Sequence, residues 1–73
     1  MGRLSGFTYD EATRRFNILG LIYDRHGGHH EIWRTSAGKR ISVPHHSRDI
    51  AEGTLRAILR EAGITPEQFL AAR

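Results

Sequence analysis

Apolar residues recur at helical spacing near both ends of the chain. The first helical stretch begins at Thr8, and Glu11 three positions later completes the sequence pattern of a capping box. Phe16 and Leu19 continue the apolar face, and Gly20 follows where a helix is expected to stop. These positions predict a first helix that begins after Thr8 and ends before Gly20.

Three short strands are predicted in the middle of the chain. The first covers residues 21–25 and leads to a Gly-Gly pair at 27–28, the clearest two-residue hairpin turn in the sequence. The second covers residues 29–35 and is followed by a turn at residues 36–38. The third covers residues 41–43, and the proline after it ends the strand or places it at a sheet edge. The prediction is a three-stranded antiparallel meander.

The expected hairpin also predicts which residues face each other across the first two strands. With the two glycines as the loop, the cross-strand pairs are His26 with His29, Arg25 with His30, and Asp24 with Glu31. A guanidinium beside His30 would disfavour the imidazolium form and could hold a phosphate oxygen. The two facing carboxylates are given no catalytic role, because no cation is expected beside them.

A second helical pattern follows Asp49. Its apolar stripe consists of Ile50, Leu55, Ile58, Leu59 and Ala62. Gly63 stands where a helix C-cap belongs, so the second helix is expected to end there.

The last residues of the chain predict one more helical turn or two. Thr65 and Gln68 form a second capping box, and the short helix is predicted over residues 67–71. Phe69 or Leu70 is expected to dock on the core. The order helix, three strands, helix and short helix indicates an α+β fold.

Length and composition limit what this fold can hold. A chain of 73 residues with 38% apolar residues can form one domain, residues 1–73, with a thin core. It contains no cysteine, which excludes disulfides, thiolate zinc sites and a thiol nucleophile. No apolar run approaches the roughly 18 residues of a membrane span, so no membrane association and a cytoplasmic location are expected.

The charge of the chain points towards an acidic partner. The formal net charge is +3, and ten of the eleven basic residues are arginine, whose planar fork suits phosphate groups. Besides Arg25, the candidate phosphate-binding residues are Arg34, Lys39, Arg40, Arg48, Arg56 and Arg60. Nucleic acid and an acidic protein are the partners that this composition favours, although such residues are also common on solvated surfaces.

Five histidines in so short a chain suggest chemistry. They fall into two groups, at positions 26, 29 and 30 around the glycine turn and at 45 and 46 after the third strand. Imidazoles from two loops could bind zinc, but no standard ligand spacing is present, and neither a metal nor another cofactor is predicted. The alternatives are a general acid or base on a strand beside phosphate-binding cations, or surface residues at the rim of a hairpin.

Three sequence landmarks together resemble a known family. They are Gly28, His29, His30 and Trp33, then Val43, Pro44 and His46, and finally Gly53-Thr54-Leu55-Arg56-x-Ile58-Leu59-x-x-Ala62-Gly63. In this order and at these separations, nearly the whole chain resembles a HicA-type toxin.

The resemblance carries expectations about fold and function. It implies a fold similar to a double-stranded-RNA-binding domain, cleavage of messenger RNA by a strand-borne histidine, and a HicB-like antitoxin that blocks the site. RNA would be recognised by shape and phosphate contacts. The alternative within the same fold is a module that binds RNA or an acidic partner and cleaves nothing.

The family pattern narrows the catalytic candidates to two residues. The family usually has Gly-Ser-His or Gly-Gly-His, whereas this chain has two histidines in succession. His30 is chosen because Trp33 then follows at the family distance, as does the turn at Gly38, and His29 remains the alternative. Arg25, Arg34, Lys39, Arg40 and Arg56 are the residues expected to bind RNA. His46 is a candidate second proton-transfer group only if the end of the third strand approaches the hairpin.

Overall fold

The computed structural model describes residues 3–45 and 49–73. Its elements are α1 (Tyr9–Ile18), β1 (Ile22–Gly27), β2 (His30–Arg34), β3 (Arg40–Pro44), α2 (Glu52–Ala62) and α3 (Pro66–Ala71). The three strands form one antiparallel sheet in the order β1-β2-β3, so β2 is central. This confirms the predicted α+β fold and its element order.

The capping residues read from the sequence explain most helix ends. Thr8 caps α1 by accepting the backbone N–H of Glu11, but the Glu11 carboxylate accepts hydrogen bonds from Arg14 and Arg15 instead of returning to the cap. The capping box of α3 is complete, because Thr65 and Gln68 bind each other's backbone N–H. The prediction of two capping boxes is therefore confirmed for α3 and only half fulfilled for α1.

The second helix begins later than its apolar stripe suggests. Asp49 forms an isolated bridge with Thr8, and Ile50 donates its backbone N–H to the carbonyl of Phe7, so this segment pairs with the chain before α1. The helix starts only at Glu52, after an Ala51 cap that makes no side-chain hydrogen bond. It ends as predicted at Gly63, whose left-handed φ of 74° favours glycine.

The register of the first hairpin differs from the prediction by one loop position. The turn residues are Gly28 and His29, while Gly27 belongs to β1 and pairs with His30. Arg25 therefore lies opposite Ile32 rather than His30. The predicted register was wrong because it assigned both glycines to the loop. Of Gly27 and Gly28, only Gly28 has a positive φ, of 65°, so one glycine is enough for this turn.

The same shift separates the carboxylates that were expected to face each other. His26, not Asp24, is the partner of Glu31, and His29 lies in the turn rather than opposite His26. Asp24 sits at a register irregularity between Tyr23 and Arg25, with its carboxylate Oδ2 3.8 Å from Nε of Arg34.

The core lies between the helices and one face of the sheet. Phe16 of α1 packs against Trp33 of β2 and Phe69 of α3, with ring centroids 6.0 and 5.9 Å apart. Of the two residues predicted to dock the last helix, Phe69 is completely buried and Leu70 only partly. Arg15 stabilises this arrangement by donating to the carbonyl oxygens of Phe69 and Leu70, which belong to the last turn of α3.

In residues 3–45 and 49–73, the helices pack on one face of the sheet, and alternation along the strands leaves the other face without a covering helix. Trp33 is buried with the α2 side chains, as are Ile41 and Val43 of β3, whereas His30 and Arg34 are exposed. Side chains two apart on a strand share a face, so His30, Ile32 and Arg34 lie on the side opposite the helices. We call this side the open face. Among the described residues, no helix is both long and apolar enough to cross a membrane.

Candidate functional site

The open face presents a histidine at the end of the central strand. His30 is the first residue of β2, is exposed, and lies between Gly27 of β1 and Pro44 of β3 in the two ladders. Because it pairs on both sides, its backbone is held by the sheet while its imidazole faces solvent. This combination of a fixed backbone and an accessible ring suits a residue that exchanges protons with a ligand.

Arg25 lies near His30 although it is not its cross-strand partner. Arg25 pairs with Ile32, which is two residues beyond His30 on the same face. Diagonal neighbours of this kind have Cβ atoms about 7 to 8 Å apart, within the span of an arginine side chain. Both side chains can therefore contact one phosphate group, but through a diagonal arrangement and not through the direct pairing expected from the sequence.

A second group of cations lies at the other end of the open face. Arg34 and Arg40 are direct cross-strand partners at the β2–β3 turn, and both are exposed. Like charges placed opposite each other repel, and an anion between them removes that repulsion. The Asp24 carboxylate compensates only partly, because it is 3.8 Å from an Arg34 side chain that is itself 53% exposed.

The remaining predicted RNA-binding residues do not join this group equally. Lys39 lies in the exposed β2–β3 turn, next to Arg40. Arg56 is on α2, on the helix side of the sheet, and its guanidinium Nη2 is 3.1 Å from Oε2 of Glu52. Arg60 lines a cavity of about 280 Å³ with Arg56, again away from the open face. The structure thus places Arg25 near His30, and Arg34, Lys39 and Arg40 in a second group at the other end of the sheet. Arg56 joins neither group.

Two predicted residues lie outside the described residues. They are His46, the candidate second proton-transfer group, and Arg48 of the basic set. His29, the alternative catalytic residue, is in the hairpin turn and exposed, and its carbonyl oxygen accepts the backbone N–H of His45.

A separate polar cluster, which we call the Glu31 cluster, lies on the helix side of the sheet. It consists of Tyr9, His26, Glu31 and His45. Glu31 is only 7% exposed, yet its carboxylate Oε1 accepts hydrogen bonds from the Tyr9 hydroxyl and from Trp33 Nε1, the latter at 3.1 Å. Oε2 lies 3.7 Å from Nδ1 of His45. The His45 ring contacts the Tyr9 ring at a tilt of 41°, with centroids 4.5 Å apart, and meets the His26 ring edge-on at 6.0 Å.

Sequence reasoning gave Glu31 no role, and the register error is the reason. In the predicted register Glu31 faced a second carboxylate, whereas in the structure it faces His26. One signal was available: Glu31 stands two residues before Trp33, so both must lie on the same face of β2. An acidic residue on the buried face of a central strand needs hydrogen-bond donors around it.

Comparison with known proteins gives the chain a family. No match is found among curated proteins. A family model described as the HicA toxin of bacterial toxin-antitoxin systems matches residues 9–64 of the 73. The matched region runs from the start of α1 to the residue after the α2 cap, and so it includes the whole sheet and both longer helices. Because the match spans well over half of the chain, this protein belongs to the HicA toxin family.

Proposed function

We propose that this protein is the toxin of a toxin-antitoxin pair and an endoribonuclease that cleaves messenger RNA, with His30 as its proton-transfer residue. The observation that carries the proposal is the placement of His30 on the open face, at the end of the central strand, with Arg25 diagonal to it and a cationic end beyond. Family membership supports the same function. In this proposal residues 1–73 act as one domain. The protein acts in the cytoplasm, where it meets messenger RNA.

The proposed reaction is an intramolecular transesterification, in which the 2′-hydroxyl attacks the neighbouring phosphodiester. The neutral imidazole of His30 accepts the 2′-hydroxyl proton while the 2′-oxygen bonds to phosphorus and the bond to the 5′-oxygen breaks. The 5′-oxygen leaves as a hydroxyl after it takes a proton from water or from the imidazolium. The products are a 2′,3′-cyclic phosphate and a 5′-hydroxyl end.

The arginines of the open face supply charge where the reaction needs it. Negative charge grows on the non-bridging oxygens as the 2′-oxygen attacks, and the Arg25 guanidinium is the cation nearest to His30 in the register. Arg34 lies four residues further along β2, a distance of about 13 Å, with Arg40 opposite it on β3 and Lys39 next to Arg40 in the turn. They are placed to hold another part of the RNA backbone and so to orient the scissile phosphate.

The open face favours recognition of RNA by its backbone. Its exposed charged residues are cationic, and the aromatic side chains of Tyr23 and Trp33 pair on the opposite side of the sheet. Stacking of bases on aromatic rings therefore contributes little, and phosphate contacts and shape contribute most.

The protein partner in this proposal is a HicB-type antitoxin. It would block cleavage by covering the open face, and acidic groups would match the cations there. An antitoxin that binds only the folded toxin stabilises it by mass action. We therefore expect the melting temperature to rise on complex formation, and no shift at saturating antitoxin would contradict this pairing.

The test is induced expression of the wild type beside His30→Ala and His29→Ala, with growth and the integrity of one messenger RNA followed in the same cultures. The two variants are matched, because both remove an exposed imidazole at the hairpin, one from β2 and one from the turn. We expect wild type and His29→Ala to stop growth and degrade the message and His30→Ala to do neither.

The purified variants extend this test to the reaction itself. His30→Ala should retain its circular dichroism spectrum and its RNA affinity but lose cleavage of a short RNA. If His30→Ala cleaves as the wild type does and His29→Ala does not, the catalytic residue is His29. If the folded wild type cleaves no RNA in cells or in solution, the ribonuclease proposal is wrong and the chain binds RNA or a partner without cutting.

A further inference from the structure

Three potential metal ligands meet on the helix side of the sheet, although they come from three separate segments. His26 is in β1, Glu31 is in β2, and His45 follows β3. One ligand atom from each lies within 4.8 Å of the others. Zinc binds nitrogen and oxygen ligands at about 2 Å, which places neighbouring ligand atoms about 3 to 4 Å apart. Both imidazoles are exposed, and they would have to rotate to bring the three atoms to that spacing.

The Glu31 carboxylate is already oriented for this role. Its Oε1 accepts the hydrogen bonds from Tyr9 and Trp33, which leaves Oε2 directed towards the His45 ring at 3.7 Å. Outer hydrogen bonds of this kind fix a metal-binding carboxylate and tune its affinity. Two neutral donors thus hold one oxygen while the other remains available.

The charge around Glu31 also favours a cation. In the part of the chain that the structure describes, no arginine or lysine nitrogen lies within 4.0 Å of this carboxylate, and the basic nitrogen within that distance is Nδ1 of His45, which is positive only when the ring is protonated. A carboxylate that is 7% exposed is expensive to leave without a positive partner. A divalent ion would supply that charge and allow both histidines to bind in their neutral forms.

We propose that His26, Glu31 and His45 form a binding site for a divalent transition metal ion of the zinc type. Two imidazoles and one carboxylate favour such ions over magnesium or calcium, which prefer oxygen ligands. The coordination is completed by water. This departs from the expectation of no metal, which rested on the absence of a standard ligand spacing in the sequence. The three ligands proposed here meet through strand register, and Glu31 was not among the residues considered for zinc.

A bound ion would join the tip of the β1–β2 hairpin to the end of β3. Glu31 directly follows His30, so the ion would stabilise the strand that carries His30 while lying on the other side of the sheet. The expected consequence is a higher melting temperature with the ion, independent of any reaction at His30.

The experiment uses the untagged full chain, stripped of metal, and titrates Zn²⁺ in competition with a chromophoric chelator. We expect one Zn²⁺ per chain. Glu31→Gln, His26→Gln and His45→Gln should each weaken Zn²⁺ binding by more than about tenfold. Loss of a residue that only hydrogen-bonds to a metal ligand already costs about tenfold or more, and loss of a ligand should cost more than that. Tyr9→Phe removes such an outer partner and should weaken it by about tenfold.

His29→Gln and His30→Gln are the matched controls, because they remove imidazoles from the same hairpin but not from the site. Both should bind Zn²⁺ as the wild type does. Co²⁺ in place of Zn²⁺ gives an absorption spectrum that reports coordination by these ligands, and this spectrum should be lost in Glu31→Gln.

Several outcomes would overturn the proposal. It is wrong if the wild type does not compete for Zn²⁺, or if His29→Gln and His30→Gln weaken binding as much as His26→Gln does, which would place the ion at the turn. Glu31→Gln keeps the acceptor for Tyr9 and Trp33. If it nevertheless fails to fold, His26→Gln and His45→Gln decide the question, because both histidine side chains are exposed.

Discussion

His30 and Glu31 are neighbours in the central strand, yet they belong to two different chemical environments. His30 faces solvent on the open face together with arginines, and Glu31 faces the helices, where it is 7% exposed and hydrogen-bonded by Tyr9 and Trp33. The pleat of the strand produces this difference, because successive side chains point to opposite faces. A single step along the strand therefore separates a solvent-exposed histidine from a buried, hydrogen-bonded carboxylate.

The open face and the Glu31 cluster also differ in what they contribute to stability. Exposed cations on the open face contribute little to folding, because water screens them. The Glu31 cluster is different, because a buried carboxylate destabilises the fold as soon as it loses a donor. We therefore expect substitutions on the open face to change ligand binding and substitutions in the Glu31 cluster to change stability.

The largest effect on stability is expected at Trp33, which belongs to the core and also donates a hydrogen bond to the Glu31 cluster. Trp33→Ala removes an indole that packs on Phe16 and also donates to Glu31. We expect the free energy of unfolding to fall by about 3 to 5 kcal/mol, enough to unfold much of a small domain. Urea denaturation followed by circular dichroism measures it, and a loss below about 1 kcal/mol would show that the core repacks around the gap.

Tyr9→Phe tests the Glu31 cluster alone. The substitution removes the hydroxyl that donates to Glu31 and leaves the ring in place. Loss of one donor to a buried charged group should lower the free energy of unfolding by about 1 to 3 kcal/mol. Tyr23→Phe is the control, because that side chain is 46% exposed and makes no hydrogen bond within the described residues, and its effect should be near zero. Equal losses in the two variants would contradict the assigned role of Glu31.

Arg34→Gln with Arg40→Gln tests the open face. The pair should leave the free energy of unfolding within about 0.5 kcal/mol of the wild type. It should weaken RNA binding and reduce the slope of log affinity against log salt by about one for each lost phosphate contact. Arg14→Gln removes an exposed cation from α1 and serves as the control. If all these variants bind RNA alike at every salt concentration, RNA does not contact this end of the open face.

The smallest effect is expected at Glu11, which belongs to neither region and gives the baseline for an exposed ion pair. The hydrogen bond from Arg14, above all, lowers the pKa of Glu11 and, in return, raises that of Arg14. The Glu11 ion pair therefore stabilises the fold fully above the ordinary carboxyl pKa. This stabilisation disappears as the pH falls through the lower pKa that Glu11 has in the folded protein. Glu11→Gln should make the melting temperature slightly less dependent on pH in that acid range, and a steeper dependence would contradict the assignment.

Much of the fold could be predicted from the sequence because its signals are local. Thr8, Gly63 and the Thr65–Gln68 pair mark helix ends through hydrogen bonds and φ angles that only a few residues permit. The apolar period then gives each helix its buried face, and Phe69 docks as the pattern suggested.

The candidate site was less predictable, because it depends on pairings between distant segments. The choice between Gly27–Gly28 and Gly28–His29 as the turn changes every cross-strand neighbour, and nothing local to the glycines decides it. The start of α2 shows the same limit. Asp49 and Ile50 carry the helical pattern but pair with residues before α1 instead.

The sequence by itself determined the order of elements, the family, and the presence of a histidine and arginines in one short sheet. Only the tertiary structure decided that Arg25 is diagonal to His30, that Arg56 lies apart, and that Glu31 meets His26 and His45. The physical reason is that caps and periodic faces are set by residues a few positions apart. Register and the meeting of strands are set by the packing of the whole core.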